Sequence, residues 1–244
     1  MAVFVIIKNF FEHLINIVYP AFCPICKKRL FEIPAPAICP VCVAAMPVNA
    51  SPLCPACGRT LTHNLNHVCL CKKNRQILFF DRALSVCDYT GTAKICIQLF
   101  KYTRRKELGR PLAEKMHLFL RDHVNTSEID CIIPVPLHRS KLRERGFNQA
   151  RVLTELLAAE LGCGCVVDNL VRVRRTKSQF SLSREERSAN VSGVFSCRNP
   201  ELINGQTILL VDDIFTTGAT ANECARVLKE AGARRIIAFS MARS

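Results

Sequence analysis

From Ala83 onward the chain alternates short apolar runs with longer stretches of helical period. Ala83–Tyr89, Asp130–Val135, Ile208–Val211 and Arg235–Met241 read as strands. Runs this short and this continuously apolar suit strands covered on both faces, as in a parallel sheet. Between them, Ala93–Lys101, Leu108–Asp122, Phe147–Leu161 and Ala219–Ala231 predict helices, the last two closed by Gly162 and Gly232. The alternation predicts a doubly wound α/β domain over residues 80–244 with a mostly parallel sheet.

The first 80 residues are organised differently. Residues 1–20 predict an amphipathic helix, with Lys8, Glu12 and Asn16 on one side and Phe4, Ile7, Phe11, Leu14, Ile15 and Val18 on another. Its polar positions exclude a membrane span, and Glu12 in mid-segment is unlike a secretory signal. The helix is expected to pack on the protein itself, with attachment to the inner face of the membrane as the alternative. The expected compartment is the cytoplasm.

Residues 21–79 hold eight of the fifteen cysteines. Cys23/Cys26, Cys39/Cys42 and Cys54/Cys57 share the form C-P-x-C, and Cys69/Cys71 is a shorter C-x-C pair. Two knuckles of paired thiolates complete one tetrahedral four-sulfur site, so eight ligands imply two structural zinc ions in a small zinc-ribbon module. Sequential pairing is the simplest arrangement, and an interleaved one stays open. His63 and His67 are substitute ligands for the odd pair. Disulfides or an iron–sulfur cluster are the competing readings, the former disfavoured in a reducing cytosol. The seven remaining cysteines lie mostly in apolar surroundings and read as buried thiols.

Composition adds one fact: 34 Lys and Arg against 20 Asp and Glu give a formal net charge of +14. With 49% apolar and 22% charged residues, the chain is a folded protein with a polyanionic partner, phosphate-rich small molecule or nucleic acid.

The chemistry is concentrated after the strand Ile208–Val211. It delivers Asp212 and Asp213 to a loop, Thr216-Thr217-Gly218-Ala219-Thr220, that runs into a helix. Adjacent carboxylates can hold vicinal hydroxyls of a sugar. The small-residue loop and helix N-terminus can present N–H groups and hydroxyls to a phosphate. A turn and cap without ligand is the plainer reading of an Asp-Asp pair alone; the full order of parts favours a sugar-phosphate site. Two basic segments flank it. Leu137–Gln149, following a strand end, carries Arg139, Lys141, Arg143 and Arg145, suited to pyrophosphate or DNA phosphate. Arg172–Asn190, with Arg174, Arg175, Lys177, Arg184 and Arg187, reads as a long loop able to close over a charged ligand.

The chain resembles the ComF family, a type I phosphoribosyltransferase-like domain behind a double zinc ribbon. The resemblance covers nearly the whole length. It rests on the C-P-x-C knuckles, Phe100-Lys101-Tyr102, Pro134-Val135-Pro136, Arg145-Gly146-Phe147-Asn148-Gln149, Thr176-x-x-Gln179 leading to Arg187-x-x-Asn190, and the Asp-Asp–Thr-Thr-Gly motif. It implies that Asp212 and Asp213 contact the ribose of phosphoribosyl pyrophosphate, that Thr216 to Thr220 cradle its 5′-phosphate, and that magnesium bridges pyrophosphate and ribose oxygens. It further implies a role in natural transformation and the handling of incoming single-stranded DNA, with a DNA-uptake helicase or channel component as a further partner. An active transferase acting on a nucleobase or related nitrogen acceptor is the alternative, and no base pocket is legible.

Overall fold

The computed structural model describes residues 20–31, 38–54, 58, 60–61, 77–174 and 192–244. The expected N-terminal helix, Cys57, Cys69, Cys71, His63, His67 and positions 175–190 of the second basic segment lie outside the described residues.

Five parallel strands form the central sheet in the order β1-β7-β6-β2-β3. They are β1 (Arg82–Asp88), β2 (Cys131–Pro134), β3 (Gly164–Cys165), β6 (Thr207–Phe215) and β7 (Arg235–Arg243). A separate antiparallel hairpin pairs β4 (Leu170–Arg172) with β5 (Phe195–Cys197). The helices are α1 (Pro40–Ala44), α2 (Gly91–Tyr102), α3 (Gly109–His123), α4 (Arg139–Arg145), α5 (Gln149–Leu161) and α6 (Ala219–Glu230).

Alternation along the strands sorts the core into two layers. Leu209, Val211, Ile237 and Phe239 pack with the apolar faces of α2, α3 and α5. Ile208, Leu210, Ile236 and Ala238 pack with α6 and the hairpin. Because both faces are covered, the strands read as continuous apolar runs in the sequence.

Three differences from the sequence reading bear on the site. The strand expected to stop at Val211 continues to Phe215, because β7 runs beside it and pairs Asp212 with Ser240 and Phe215 with Arg243. The basic segment after β2 contains a seven-residue helix, α4, capped at its start by His138 Nδ1, which accepts from Ser140 N at 3.2 Å, and ended by Gly146 at φ +82°. The helix expected from Phe147 begins at Gln149, since Asn148 is its N-cap and accepts from Ala150 N at 3.1 Å.

The cysteine-rich segment is built onto this domain. Cys23, Leu30, Ile38, Cys42 and Met46 belong to the same apolar cluster as α2, α3 and α5. Asn49 pairs with the outer edge of β1, donating its N–H to Val86 O at 2.7 Å and its amide to Ser85 O at 3.0 Å. Lys115 Nζ reaches back to Val43 O and Ala44 O, both at 3.2 Å, completing the last turn of α1.

The chain entering β1 is fastened to α6 by Asn222, which accepts from Phe79 N at 2.8 Å and donates to Ile77 O at 3.0 Å. Asn222→Ala removes both bonds at a buried position. It should lower the unfolding free energy by about 2 kcal/mol, measured as a reduced urea midpoint with unchanged m-value.

Candidate functional site

The chain leaves the neighbouring strands β2 and β6 in opposite directions, toward β3 on one side and β7 on the other. The carboxyl ends of such a pair frame a crevice, the usual ligand position in open α/β sheets. Asp212 and Asp213 stand at this end of β6, and α4 follows the end of β2.

The two carboxylates are held differently. Asp213, only 8% exposed, forms an ion pair with Lys101 Nζ at 3.1 Å. Asp212 is half-buried and accepts from Asp213 N at 2.8 Å. Its pKa is pushed up to about 8, first by burial and then by the Asp213 charge, against the opposing pull of Lys101, the Asp213 N–H and Arg145. It also acts on the buried Cys224 thiol and on Arg172, whose own charge is opposed by burial. The pair thus spans the strand, with Asp213 tied to α2 and Asp212 set toward α6 and the hairpin.

The turn from β6 into α6 comprises Thr216, Thr217 and Gly218. Gly218 occupies the N-cap position at φ +80°, a conformation costly for any residue with a Cβ. A Cβ there would meet nothing within 4 Å, so the requirement is conformational and the space beside the turn is open. Thr217 Oγ1 accepts from Ala219 N at 3.3 Å. Thr216 is exposed and Thr217, Gly218 and Thr220 are half-exposed, while Ala219 is buried. The first turn of a twelve-residue helix therefore lies beside two carboxylates, an arrangement able to take a phosphate and hydroxyls together.

Three sequence motifs meet here through side-chain contacts. The Phe100 ring lies 5.4 Å from the Phe147 ring, and Gln149 Nε2 donates to Phe100 O at 3.4 Å. Gln149 Oε1 accepts from Arg145 Nη1 at 3.1 Å, and the Arg145 guanidinium sits 5.7 Å from the centre of the Tyr102 ring. Asn148 Nδ2 donates to Val135 O at 3.1 Å. Phe100-Lys101-Tyr102 and Arg145 to Gln149 are thus one assembly supplying two cations, Lys101 and Arg145, to the acidic pair.

Of the four basic residues expected from the first segment, only Arg145 is drawn inward. Arg139, Lys141 and Arg143 are exposed on α4, and Lys141 pairs with Glu144 at 2.7 Å. Lys101, Tyr102 and Arg172 were not singled out as site residues by the sequence reading. Lys101 and Tyr102 carried a signal, since they end a helix inside a recognised motif.

The second candidate centre is the cysteine cluster. The sulfurs of Cys23, Cys26, Cys39 and Cys42 all lie within 4.8 Å of one another, and Cys26 Sγ and Cys39 Sγ are 3.6 Å apart. A tetrahedral zinc with Zn–S of about 2.3 Å needs sulfurs about 3.8 Å apart, so the four fit that ion. Cys42 N donates to Cys39 Sγ at 3.4 Å. The Cys42 thiol is pushed up to about 12, by burial and by hydrogen bonding among the four sulfurs. Four thiolates at this spacing need a cation between them. The first four cysteines therefore group in sequential order. Cys54 is buried, and its expected partners lie outside the described residues.

Comparison with known proteins matches both parts of the chain. A phosphoribosyl transferase domain family matches residues 148–243, and a double zinc ribbon domain family matches residues 14–73. Competence protein F of Haemophilus influenzae is 30% identical over 201 residues, covering 81% of this chain and 87% of that protein. DNA utilization protein YhgH of Salmonella typhimurium is 32% identical over 195 residues, covering 79% and 84%. Competence protein ComFC of Bacillus subtilis is 30% identical over 204 residues, covering 79% and 78%. Among solved structures, an adenine phosphoribosyltransferase aligns over 58% of this chain and 73% of its own, at 21% identity and a TM-score of 0.38. With a mostly parallel α/β sheet behind a cysteine-rich ribbon, and relatives matched along most of their length, the chain belongs to the ComF family.

Proposed function

We propose that this chain is a competence and DNA-utilization protein whose α/β domain binds phosphoribosyl pyrophosphate and which acts with single-stranded DNA. The observation that carries the reading is the joint placement of Asp212, Asp213 and the Thr216–Thr220 turn at the β2/β6 crevice, with Lys101 and Arg145 as counter-charges. The relatives named for competence and DNA utilization supply the biological context.

In this reading the ribose hydroxyls donate to Asp212 and Asp213. The 5′-phosphate accepts from backbone N–H groups and threonine hydroxyls of the turn, with the α6 dipole assisting. Lys101 and Arg145 lie beside the carboxylates, where the pyrophosphate must pass. Magnesium prefers hard oxygen donors, and the acidic pair offers them; when bound with the ligand it offsets pyrophosphate charge. Exposed arginines on α4, beyond the reach of one small ligand, suit the phosphates of a DNA strand. Zinc in the four-cysteine cluster, and in a second site drawing on Cys54, Cys57, Cys69 and Cys71, holds the ribbon module. Free thiols and zinc-bound thiolates both suit the reducing cytoplasm. Among the described residues no helix is long and apolar enough to cross a membrane.

Asp212→Asn with Asp213→Asn should abolish calorimetric binding of magnesium phosphoribosyl pyrophosphate while leaving affinity for a single-stranded oligonucleotide intact. Retained sugar-phosphate binding in that variant would sink the assignment.

The raised pKa of Asp212 makes a second outcome measurable. A carboxylate accepting from ribose hydroxyls must be ionised, so binding at pH 7 should release close to one proton, read from calorimetry in buffers of differing ionisation enthalpy. Affinity should strengthen as pH rises toward 8, about tenfold per unit. The stabilisation due to protonated Asp212 is complete below about pH 4 and lost as pH rises through about 8, because the folded value lies above the ordinary one. Asp212→Asn should accordingly flatten the dependence of Tm on pH and exceed the parent most at the alkaline end.

Metal analysis should find about two zinc ions per chain and about one in the double variant Cys26→Ser, Cys39→Ser. Removal by a strong chelator should lower Tm, since Cys23 and Cys42 lie in the domain's own core. An unchanged Tm after metal loss would contradict a structural role.

A further inference from the structure

Tyr102 ends α2 with 63% of its surface exposed, although its neighbours Phe100 and Lys101 are drawn inward. Core packing does not account for its position. Its ring is backed by the Arg145 guanidinium, which is itself held by Gln149 and acts electrostatically on Asp212. An exposed aromatic ring fixed beside a cation, one residue from the Lys101–Asp213 pair, stands at the lip of the crevice.

The surroundings are basic. The loop after α2 carries Arg104, Arg105 and Lys106, all exposed. Arg104 is held at φ +56° with its side chain against the α4–α5 turn; a Cβ on Gly146 would lie 3.6 Å from Arg104 Cδ. Lys106 Nζ lies 5.8 Å from the centre of the Phe147 ring, joining the same turn. Exposed Arg139 and Arg143 on α4 extend the patch. Residues 103–107 and 139–145 together hold seven cations and two carboxylates, Glu107 and Glu144. One of those carboxylates is occupied by Lys141.

We propose that Tyr102, backed by Arg145, is a base-stacking platform for single-stranded DNA, and that the basic rim around it tracks the strand's phosphates. The inference rests on the DNA reading above and gives it a location. A stacking residue presents a π-face to any base, and a positively charged groove carries the backbone past it. Paired, stacked bases in a duplex do not offer that face, so the partner is a single strand. A free nucleobase awaiting transfer calls for a water-excluded pocket, which a ring this exposed does not provide. The rim also carries more positive charge than one uncharged base would require. The platform adjoins the sugar-phosphate site through Lys101 and Arg145, so strand and sugar phosphate bind side by side.

The test uses the full, zinc-loaded chain and two dye-labelled strands of about 20 nucleotides, oligodeoxythymidine and an abasic strand with the same phosphates, followed by fluorescence anisotropy. The parent should prefer the thymidine strand. Tyr102→Ala should weaken thymidine-strand binding about 5- to 150-fold, the range of one lost stacking contact, while leaving the abasic affinity unchanged. Tyr102→Phe, which keeps the ring, should retain the preference. An undiminished preference in Tyr102→Ala overturns the platform, as does a parent that binds both strands equally. A parent that binds neither strand overturns the DNA reading itself, and the platform with it.

Discussion

Two neighbouring carboxylates near the end of a buried central strand are the constraint around which this domain is organised. Burial and the neighbouring Asp213 charge both oppose the ionisation of Asp212, and the surrounding elements supply what offsets them. Lys101 arrives at the end of α2, and Arg145 at the end of α4. Each cation is positioned by residues with a second task. Gln149 joins Arg145 to the Phe100 carbonyl, and Phe147 packs on the Phe100 ring. The compensation is incomplete, as the raised pKa of Asp212 records. A site left short of positive charge is predisposed toward a ligand that brings hydroxyl donors or a cation with it.

The parts of the site legible in the sequence are those made by neighbours along the chain. A strand, two aspartates, a small-residue turn and a helix need only local geometry, and Gly218 at φ +80° shows why that turn is written with glycine. The cysteine knuckles are local in the same sense. Lys101 stands within a legible motif, yet its partner Asp213 lies far along the chain and becomes adjacent only in the fold. α4 escaped notice because it buries none of its residues, so it leaves no apolar period; its signals are His138 and Gly146 at its two ends. The extent of β6 was underestimated because Asp212 and Asp213 interrupt the apolar run, whereas its register with β7 is what carries the strand to Phe215. The hairpin strands are three residues each, too short for alternation to mark them.

The ribbon segment and the α/β domain differ in sequence character and still share a core. Cys23, Cys42 and Met46 lie in the cluster that includes Cys96, Phe100 and Met116. A small module has too little apolar surface to order itself, and it draws here on the core of a neighbouring domain, beside four cysteines spaced to hold a metal.

The cover that Asn49 and Gly58 give β1 has a consequence for the behaviour of the chain in a crowded cell. β1 borders the sheet, and the outer edge of a strand is a template for any extended peptide. Asn49 satisfies that edge at Val86 and Ser85, and Gly58 lies so near that a Cβ would come within 2.9 Å of the Leu84 backbone. The cysteine-rich segment is therefore a guard against β-augmentation by other chains. Loss of that cover would leave a sheet edge open to edge-to-edge association with other chains.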